Sequence, residues 1–200
     1  MFLRSLLTTM PLLLIGCDTA DVTEQEADFS RWIKEPVNQN NVEALKVYLK
    51  THDADGVIPM EQLLRSDVRW KKCQSEPYSS PSKDQWPHII LTLHLLRDKI
   101  LPLIGPVEAQ SVFRNPTINH CIGGAKNSYH MQFFAIDMKP LPAVSRDILI
   151  AKLCRFYRNE GKKHNIGLGL YAGTRFHIDT AGYRSWGQDQ KASSSPCQSN

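Results

Sequence analysis

The sequence predicts an α+β fold in which helices flank a small antiparallel sheet. Apolar residues recur at helical spacing through the first half of the chain, and short strand-like segments follow around one further helix. Strands and helices do not alternate regularly, as they would in a parallel βαβ sheet. The 200 residues suffice for one domain with a single core and short appendages.

The helices are predicted from apolar periodicity and end signals. Residues 41–50 and 60–72 each place apolar side chains on one face. The clearest helix begins near Asp84, an expected N-cap, and ends before Gly105. A last helix spans residues 145–160. The core stripe of the clearest helix consists of Trp86, Ile89, Ile90, Leu93, Leu96 and Ile100.

Four short segments read as strands. Residues 107–113 and 133–138 flank a loop, and residues 166–171 and 175–180 form a pair joined near Gly173. On an extended strand successive side chains point to opposite faces. Because all four predicted strands lie after residue 106, the sheet is expected to form from the second half of the chain.

The first sixteen residues have the pattern of a secretory leader. A single positive charge, Arg4, precedes a short apolar stretch that ends at Gly16 and Cys17. A stretch of this length is typical of a signal peptide and too short for a transmembrane helix. Gly16 before Cys17 resembles the lipobox of bacterial lipoproteins, in which the cysteine is acylated. The alternative is an ordinary signal peptide with a chance cysteine.

This leader predicts a periplasmic protein tethered to a membrane by lipid on Cys17, although which membrane stays open.

Residues 17–40 are polar and acidic and are interpreted as a tether, residues 41–187 as the domain, and residues 188–200 as a disordered tail. Export to an oxidising compartment allows disulfides, and spacing leaves three pairings open. The cysteines concerned are Cys73, Cys121, Cys154 and Cys197.

The charge pattern argues against a nucleic-acid partner. The net charge is +4 and is spread along the chain, without a basic run or aromatic residues interleaved with Lys and Arg. We expect a monomer whose macromolecular contacts are the membrane, through the lipid, and its substrate.

One group of residues has the composition of a catalytic metal site. His177 shares a strand face with Asp179, Asp137 lies near the end of the predicted strand over residues 133–138, and His130 lies just before that strand. Two imidazoles and one carboxylate are the ligands of a catalytic zinc ion with an open fourth position. The chain has no HExxH, which excludes the helix-borne zinc arrangement.

A longer series of motifs surrounds these residues, in order along residues 57–187. It resembles the zinc D-Ala-D-Ala carboxypeptidases, a family that includes murein endopeptidases and phage endolysins. The motifs are Ser111-Val112-Phe113-Arg114-Asn115-Pro116, Asn119, Gly123-Gly124-Ala125, Ser128-x-His130, Ala135-x-Asp137, Gly167-x-Gly169-x-Tyr171, Phe176-His177-x-Asp179 and Trp186.

The resemblance implies a Zn2+ peptidase that cuts peptidoglycan stem peptides next to a D-amino acid. It implies that His130, Asp137 and His177 bind the zinc. It also implies that Arg114 grips a substrate carbonyl or carboxylate. Ser128 and Tyr129 are expected near the substrate, and a Cys73–Cys121 disulfide is expected from the placement of these segments. Asp179 is either the general base or the residue that orients a zinc ligand.

The chain departs from the family pattern at three places. Val112-Phe113 replaces Gly-Tyr, Phe133 replaces a glycine after the first histidine, and Thr174 stands where an acidic base is usual. Two alternatives follow. One is a pseudoenzyme that binds stem peptides while Phe133 blocks the metal. The other is a structural envelope protein that uses zinc for stability.

Overall fold

The computed structural model describes residues 28–198, which form the mixed helical and sheet architecture that the sequence predicts. The α+β prediction is therefore confirmed. The leader and Cys17 lie outside the described residues. Among residues 28–198 no helix is long and apolar enough to cross a membrane.

Residues 28–32 are helical, and the helices and strands that follow are joined by short 3-10 turns. The helices are α1 Pro36–Thr51, α2 Met60–Leu63, α3 Trp86–Leu95, α4 Leu101–Ile104, α5 Pro116–Cys121 and α6 Arg146–Glu160. The strands are β1 Val107–Ser111, β2 Ala135–Pro140, β3 Gly167–Leu170, β4 Phe176–Asp179 and β5 Arg184–Trp186.

Helix α3 is the core helix that the apolar stripe predicts. Its entry differs from expectation, because Ser82 and not Asp84 caps the preceding 3-10 turn, in a reciprocal capping box with Gln85. After α3 the chain makes a π-helical turn, Leu96–Ile100, and continues into α4. Pro102 lacks the N–H that would continue the α-helical bonding, and the wider turn precedes it.

The segment after α2 differs from the predicted helix over residues 60–72. Helix α2 ends at Leu63, and Arg65 pairs with Tyr78 in an antiparallel bridge. The Arg65 carbonyl accepts a bond from Val112 N at 2.9 Å, and Val68 N donates to the Gln110 carbonyl at 3.1 Å. These long-range backbone bonds replace those of a helix, and they place this segment beside β1.

The sheet has the strand order β1-β2-β4-β3-β5. Its pairs are antiparallel, as predicted, except that the edge strand β5 is parallel to β3. One face is apolar and contributes to the core, and α3 contacts β2. The other face carries the polar residues described below. The core face includes Ile136, Met138, Leu168, Phe176 and Ile178.

Both polar flanking segments are ordered where the structure describes them, unlike the predicted tether and tail. Phe29 and Trp32 pack against Tyr78, with ring centroids 5.1 and 5.6 Å away. At the other end Cys197 is buried. The apolar groups in each segment find burial against the domain, which the polar composition of the segments concealed.

Two disulfides cross-link the described chain. Cys73 is bonded to Cys121 at the end of α5, and Cys154 in α6 is bonded to Cys197. Each closes a long loop, with sequence separations of 48 and 43. The first ties the segment after α2 to the loop that follows β1, and the second holds the C-terminal segment on α6.

Candidate metal centre

The register of the sheet aligns one residue from every strand in a single row. Asp137 is paired with Ser111 on one side and with His177 on the other. His177 is paired in turn with Gly169, and Gly169 with Trp186. Adjacent strands lie about 4.8 Å apart, so side chains in this row meet their neighbours. Five of the motif residues singled out in the sequence therefore belong to one line across the sheet: Ser111, Asp137, His177, Gly169 and Trp186.

His130 approaches this row from a separate turn. It lies in the 3-10 helix Tyr129–Gln132, whose N-cap Ser128 accepts a bond from His130 N at 3.3 Å. The His130 carbonyl accepts a bond from Arg114 N at 3.2 Å, which fixes the turn against the end of β1. The local capping motif thus aims the imidazole at the sheet.

Three donor atoms converge where the turn meets the row. His130 Nε2 lies 3.1 Å from His177 Nδ1 and 3.2 Å from Asp137 Oδ1, and the last two atoms are 2.9 Å apart. Ligands of a tetrahedral zinc ion at 2.0–2.1 Å are separated by about 3.3 Å. The triangle formed by His130, Asp137 and His177 therefore has the size of one face of a zinc coordination tetrahedron, and the three form a candidate metal group.

The outer nitrogen of each imidazole is held by an oxygen that can only accept. His130 Nδ1 donates to the Val112 carbonyl at 2.7 Å, and His177 Nε2 donates to Asp179 Oδ2 at 2.8 Å. These bonds place the proton of each neutral ring on its outer nitrogen. The inner nitrogens then direct lone pairs at each other and at Asp137, an arrangement that a divalent cation stabilises.

Charge and burial shift the pKa values of all three groups. Burial, followed by the charge of Arg114, lowers the pKa of His130 to about 4. Burial alone would raise the pKa of Asp137, but the charges of His130 and Arg114 hold it well below its usual value. Burial likewise opposes protonation of His177, yet bonds to Asp137 and Asp179 raise its pKa. A metal ion would therefore compete with a proton for His177 Nδ1.

Asp179 lies behind His177 and does not line the cavity in front of the metal group. Its side chain is fully buried and accepts bonds from His177, Ala181 N and Arg184. The bonds from His177 and Arg184 overcome the effect of burial and lower its pKa to about 2. Of the two expected roles, these contacts favour orientation of His177 over proton transfer.

Arg114 makes contacts that differ from its expected role on the substrate. Only 5 % of the residue is exposed. Its Nε donates to Ser111 Oγ at 2.7 Å, and its Nη2 donates to Asp137 Oδ2. Asp67 lies 3.6 Å from the same nitrogen. The guanidinium also borders the cavity, but its placed bonds orient a candidate metal ligand.

Gly169 allows β5 to reach the metal group. A Cβ atom on Gly169 would lie 2.6 Å from the Trp186 indole, which is closer than atoms can pack. Because the glycine leaves this face open, Trp186 crosses β3 and lies against His177, with ring centroids 4.9 Å apart.

Gly167 serves the neighbouring row in the same way. A Cβ atom there would lie 2.7 Å from Arg184 Nη1 and would also collide with Asp179. Arg184 therefore crosses β3 to reach Asp179, at 3.1 Å between Nη1 and Oδ1. The two glycines are needed for close packing across the strand, as the sequence indicates.

The metal group opens into a cavity of about 550 Å3. Ser128 and Tyr129 line it, as expected for residues near a substrate, together with Tyr171 and Trp186. Four arginines also line it, and Asp137 is the only carboxylate among the described lining residues. The lining therefore holds more basic than acidic side chains, a property that sequence reasoning did not predict. The arginines are Arg69, Arg114, Arg175 and Arg184.

Phe133 does not obstruct the cavity. Its side chain is fully buried, belongs to the hydrophobic core and packs edge-on against Phe113, with ring centroids 6.1 Å apart. Its φ of 60° is in the left-handed region, where glycine is favoured. The bulky replacement therefore affects the backbone turn and the core, and the structure offers no steric block by this residue.

The other histidines of the core helix are satisfied elsewhere. His88 Nδ1 lies 2.8 Å from the Gln132 carbonyl, and His94 Nε2 lies 2.9 Å from the His52 carbonyl. Neither belongs to the candidate metal group. Both side chains are therefore hydrogen-bonded away from the metal group.

Comparison with known proteins gives one match. A family model described as peptidase M15 matches residues 61–179, which is more than half of the chain. The matched region contains His130, Asp137, His177 and Asp179. No curated protein and no solved structure gives a significant match.

Proposed function

The chain belongs to the peptidase M15 family of zinc peptidases, and from this premise we propose that it hydrolyses peptidoglycan stem peptides next to a D-amino acid. The observation that carries the proposal is the triangle of donor atoms from His130, Asp137 and His177 at the base of an open cavity. The M15 match, the donor chemistry and the cavity all support a peptidase.

The residues of the chain divide the work of such a site between them. His130, Asp137 and His177 would hold the zinc, which when bound supplies Lewis acidity to a substrate carbonyl and to water. Arg114 keeps Asp137 ionised and fixed, and Asp179 keeps the His177 ring in one orientation. Ser128 and Tyr129 border the space that a peptide would occupy.

The proposed substrate class rests on the motif series and on the arginines that line the cavity. Stem peptides carry several carboxylates, and arginines bind carboxylates with two parallel hydrogen bonds. The pseudoenzyme alternative loses its structural reason, because Phe133 lies in the core and not at the metal group.

The proposal is tested by measuring zinc and product together. We expect the purified protein to bind one equivalent of zinc by mass spectrometry and to release muropeptide fragments from purified sacculi. His130→Ala should abolish both, while the exposed His120→Ala should change neither. Zinc without fragments would support the binding-only alternative, and full zinc occupancy in His130→Ala would overturn the ligand assignment.

We also propose that the protein acts as a monomer in the periplasm, anchored through lipid on Cys17. The leader pattern supports this location. In a bacterial host, Cys17→Ser should release the protein into the soluble fraction without lipid mass. An equal membrane-bound fraction in that variant would place the anchor elsewhere. Light scattering on the released form should report the mass of one chain.

A further inference from the structure

Three of the four cavity arginines are neutralised by the protein itself. Each of the three lies within ion-pair distance of an aspartate that either is a candidate metal ligand or lies near the metal group. Arg175 has no carboxylate partner among residues 28–198, although it lines the same cavity. The pairs are Arg69 with Asp67, Arg114 with Asp137 and Arg184 with Asp179.

The sheet register places Arg175 beside the metal group. Gly169 is paired with His177, and Tyr171 N donates to the Arg175 carbonyl at 3.0 Å, so the pairing continues for two residues beyond. Arg175 and His177 are two positions apart on one strand direction and therefore share a face. Their Cα atoms are separated by about 7 Å.

The Tyr171 ring packs against the Arg175 guanidinium. The guanidinium carbon lies 4.6 Å from the centroid of the Tyr171 ring. Burial raises the pKa of Tyr171, so the phenol stays neutral and cannot cancel the arginine charge. When a guanidinium stacks on an aromatic ring, the N–H groups at the edge of the guanidinium remain available to bind a planar anion. The cavity thus presents one uncompensated, positioned cation near the metal ligands.

We propose that Arg175 binds the terminal carboxylate of the peptide that is cut, which makes the enzyme a carboxypeptidase. The inference rests on the proposed peptidase function. The carbonyl of the last peptide bond and the terminal carboxylate are one residue apart, about 3.6 Å along the chain. Side chains that converge from Cα positions about 7 Å apart can serve both groups, with the carbonyl beside the metal group that His177 belongs to and the carboxylate at Arg175. A cross-linked peptide lacks this terminal carboxylate and would leave Arg175 unpaired.

The test compares two peptides on zinc-loaded enzyme. The first is diacetyl-L-Lys-D-Ala-D-Ala with a free carboxylate, and the second is its C-terminal amide. Arg175→Gln should lower kcat/KM for the acid on the order of 10- to 100-fold, mainly through KM, as expected for a lost charge-assisted hydrogen bond. The amide should change less than about threefold, since it never used the charge. Arg175→Lys should recover part of the loss.

The matched control is Arg155→Gln, which removes an exposed arginine of α6 that does not line the cavity. It should leave both peptides unchanged. An equal fall on acid and amide in Arg175→Gln would mean a structural role and would overturn the proposal. The proposal would also be overturned if the wild-type enzyme cut a peptide amide that carries a side-chain carboxylate in preference to the peptide with a free C-terminal carboxylate.

Failure of the peptidase function has a separate signature. A wild-type enzyme that cuts neither peptide would overturn the proposed function but would not decide the role of Arg175. Calorimetric binding of the two peptides then decides it. Loss of the acid-over-amide preference in Arg175→Gln supports the carboxylate site, and an unchanged preference overturns it.

Discussion

At the scale of single residues, Arg114 contacts a candidate metal ligand, whereas the family resemblance places it on the substrate. Arg114 bonds Asp137 through Nη2 and Ser111 through Nε, and it is nearly buried. A planar guanidinium can make both bonds at once, whereas an ammonium cannot copy that geometry. Orientation of a ligand by such a partner typically changes metal affinity 10- to 100-fold.

Arg114→Lys should therefore weaken zinc binding by roughly 10- to 100-fold. Competition with a chromogenic chelator measures the affinity, and Arg155→Lys is the matched control on an exposed site. Zinc affinity equal to wild type, together with a fall in kcat, would return Arg114 to the role on the substrate that the family resemblance implies.

Phe133 combines a buried ring with a backbone conformation that suits glycine. Removing a buried Phe ring costs about 3–5 kcal/mol. At an ordinary site Ala is preferred to Gly, but at φ 60° the Cβ atom is strained. Phe133→Gly should therefore be less destabilised than Phe133→Ala, by about 1 kcal/mol in urea unfolding. The opposite order would show that the turn relaxes away from its left-handed conformation.

At the scale of elements, β3 acts as a strand whose missing side chains make room for its neighbours. Trp186 and Arg184 of β5 cross it to reach His177 and Asp179. The glycines are thus part of the support of the metal group, although neither touches the cavity. Strand β5 lies at the edge of the sheet and would otherwise be one strand too far away.

Gly169→Ala should disturb this crossing. The added Cβ meets the indole at 2.6 Å, so Trp186 must shift away from His177. We expect a loss of about 1–3 kcal/mol in stability and weaker zinc binding. Gly173→Ala is the control, because no atom lies within 4 Å of its added Cβ, although its φ of 62° is unfavourable for alanine. It should lower stability while zinc affinity stays constant.

At the scale of the whole molecule, distant segments of the chain are tied together around the cavity. The Gln190 side chain donates to the Gly123 carbonyl at 3.2 Å. The C-terminal segment therefore contacts the loop that contains Gly123 and Gly124, called here the glycine-rich loop. The Cys154–Cys197 disulfide anchors this segment to α6. One wall of the cavity therefore depends on a cross-link far from the metal group along the chain.

The double variant Cys154→Ser/Cys197→Ser should be less stable by about 2–4 kcal/mol, as expected for opening a loop of this length. Thermal unfolding with and without reductant measures the loss. Hydrogen exchange should increase in residues 188–198 and in the glycine-rich loop. Unchanged exchange in the loop would show that the C-terminal segment does not stabilise the cavity wall.

The features that depend on local geometry could be predicted from the sequence. The helical period located α1, α3 and α6, and the alternation of a strand put His177 and Asp179 on one face. Both periods repeat within a few residues, so they are legible without knowledge of the rest of the chain. The ligand types and the motif order also led from the sequence to the M15 family.

The partner that each of these residues contacts depends on the tertiary structure. Asp137 meets Arg114 across 23 positions, and Cys154 meets Cys197 across 43. The segment after α2 became an extended neighbour of β1, and the polar flanks became ordered against the core. These outcomes follow from strand order and register, which arise from contacts between distant residues. A local pattern carries no record of them, because the same pattern is compatible with many pairings.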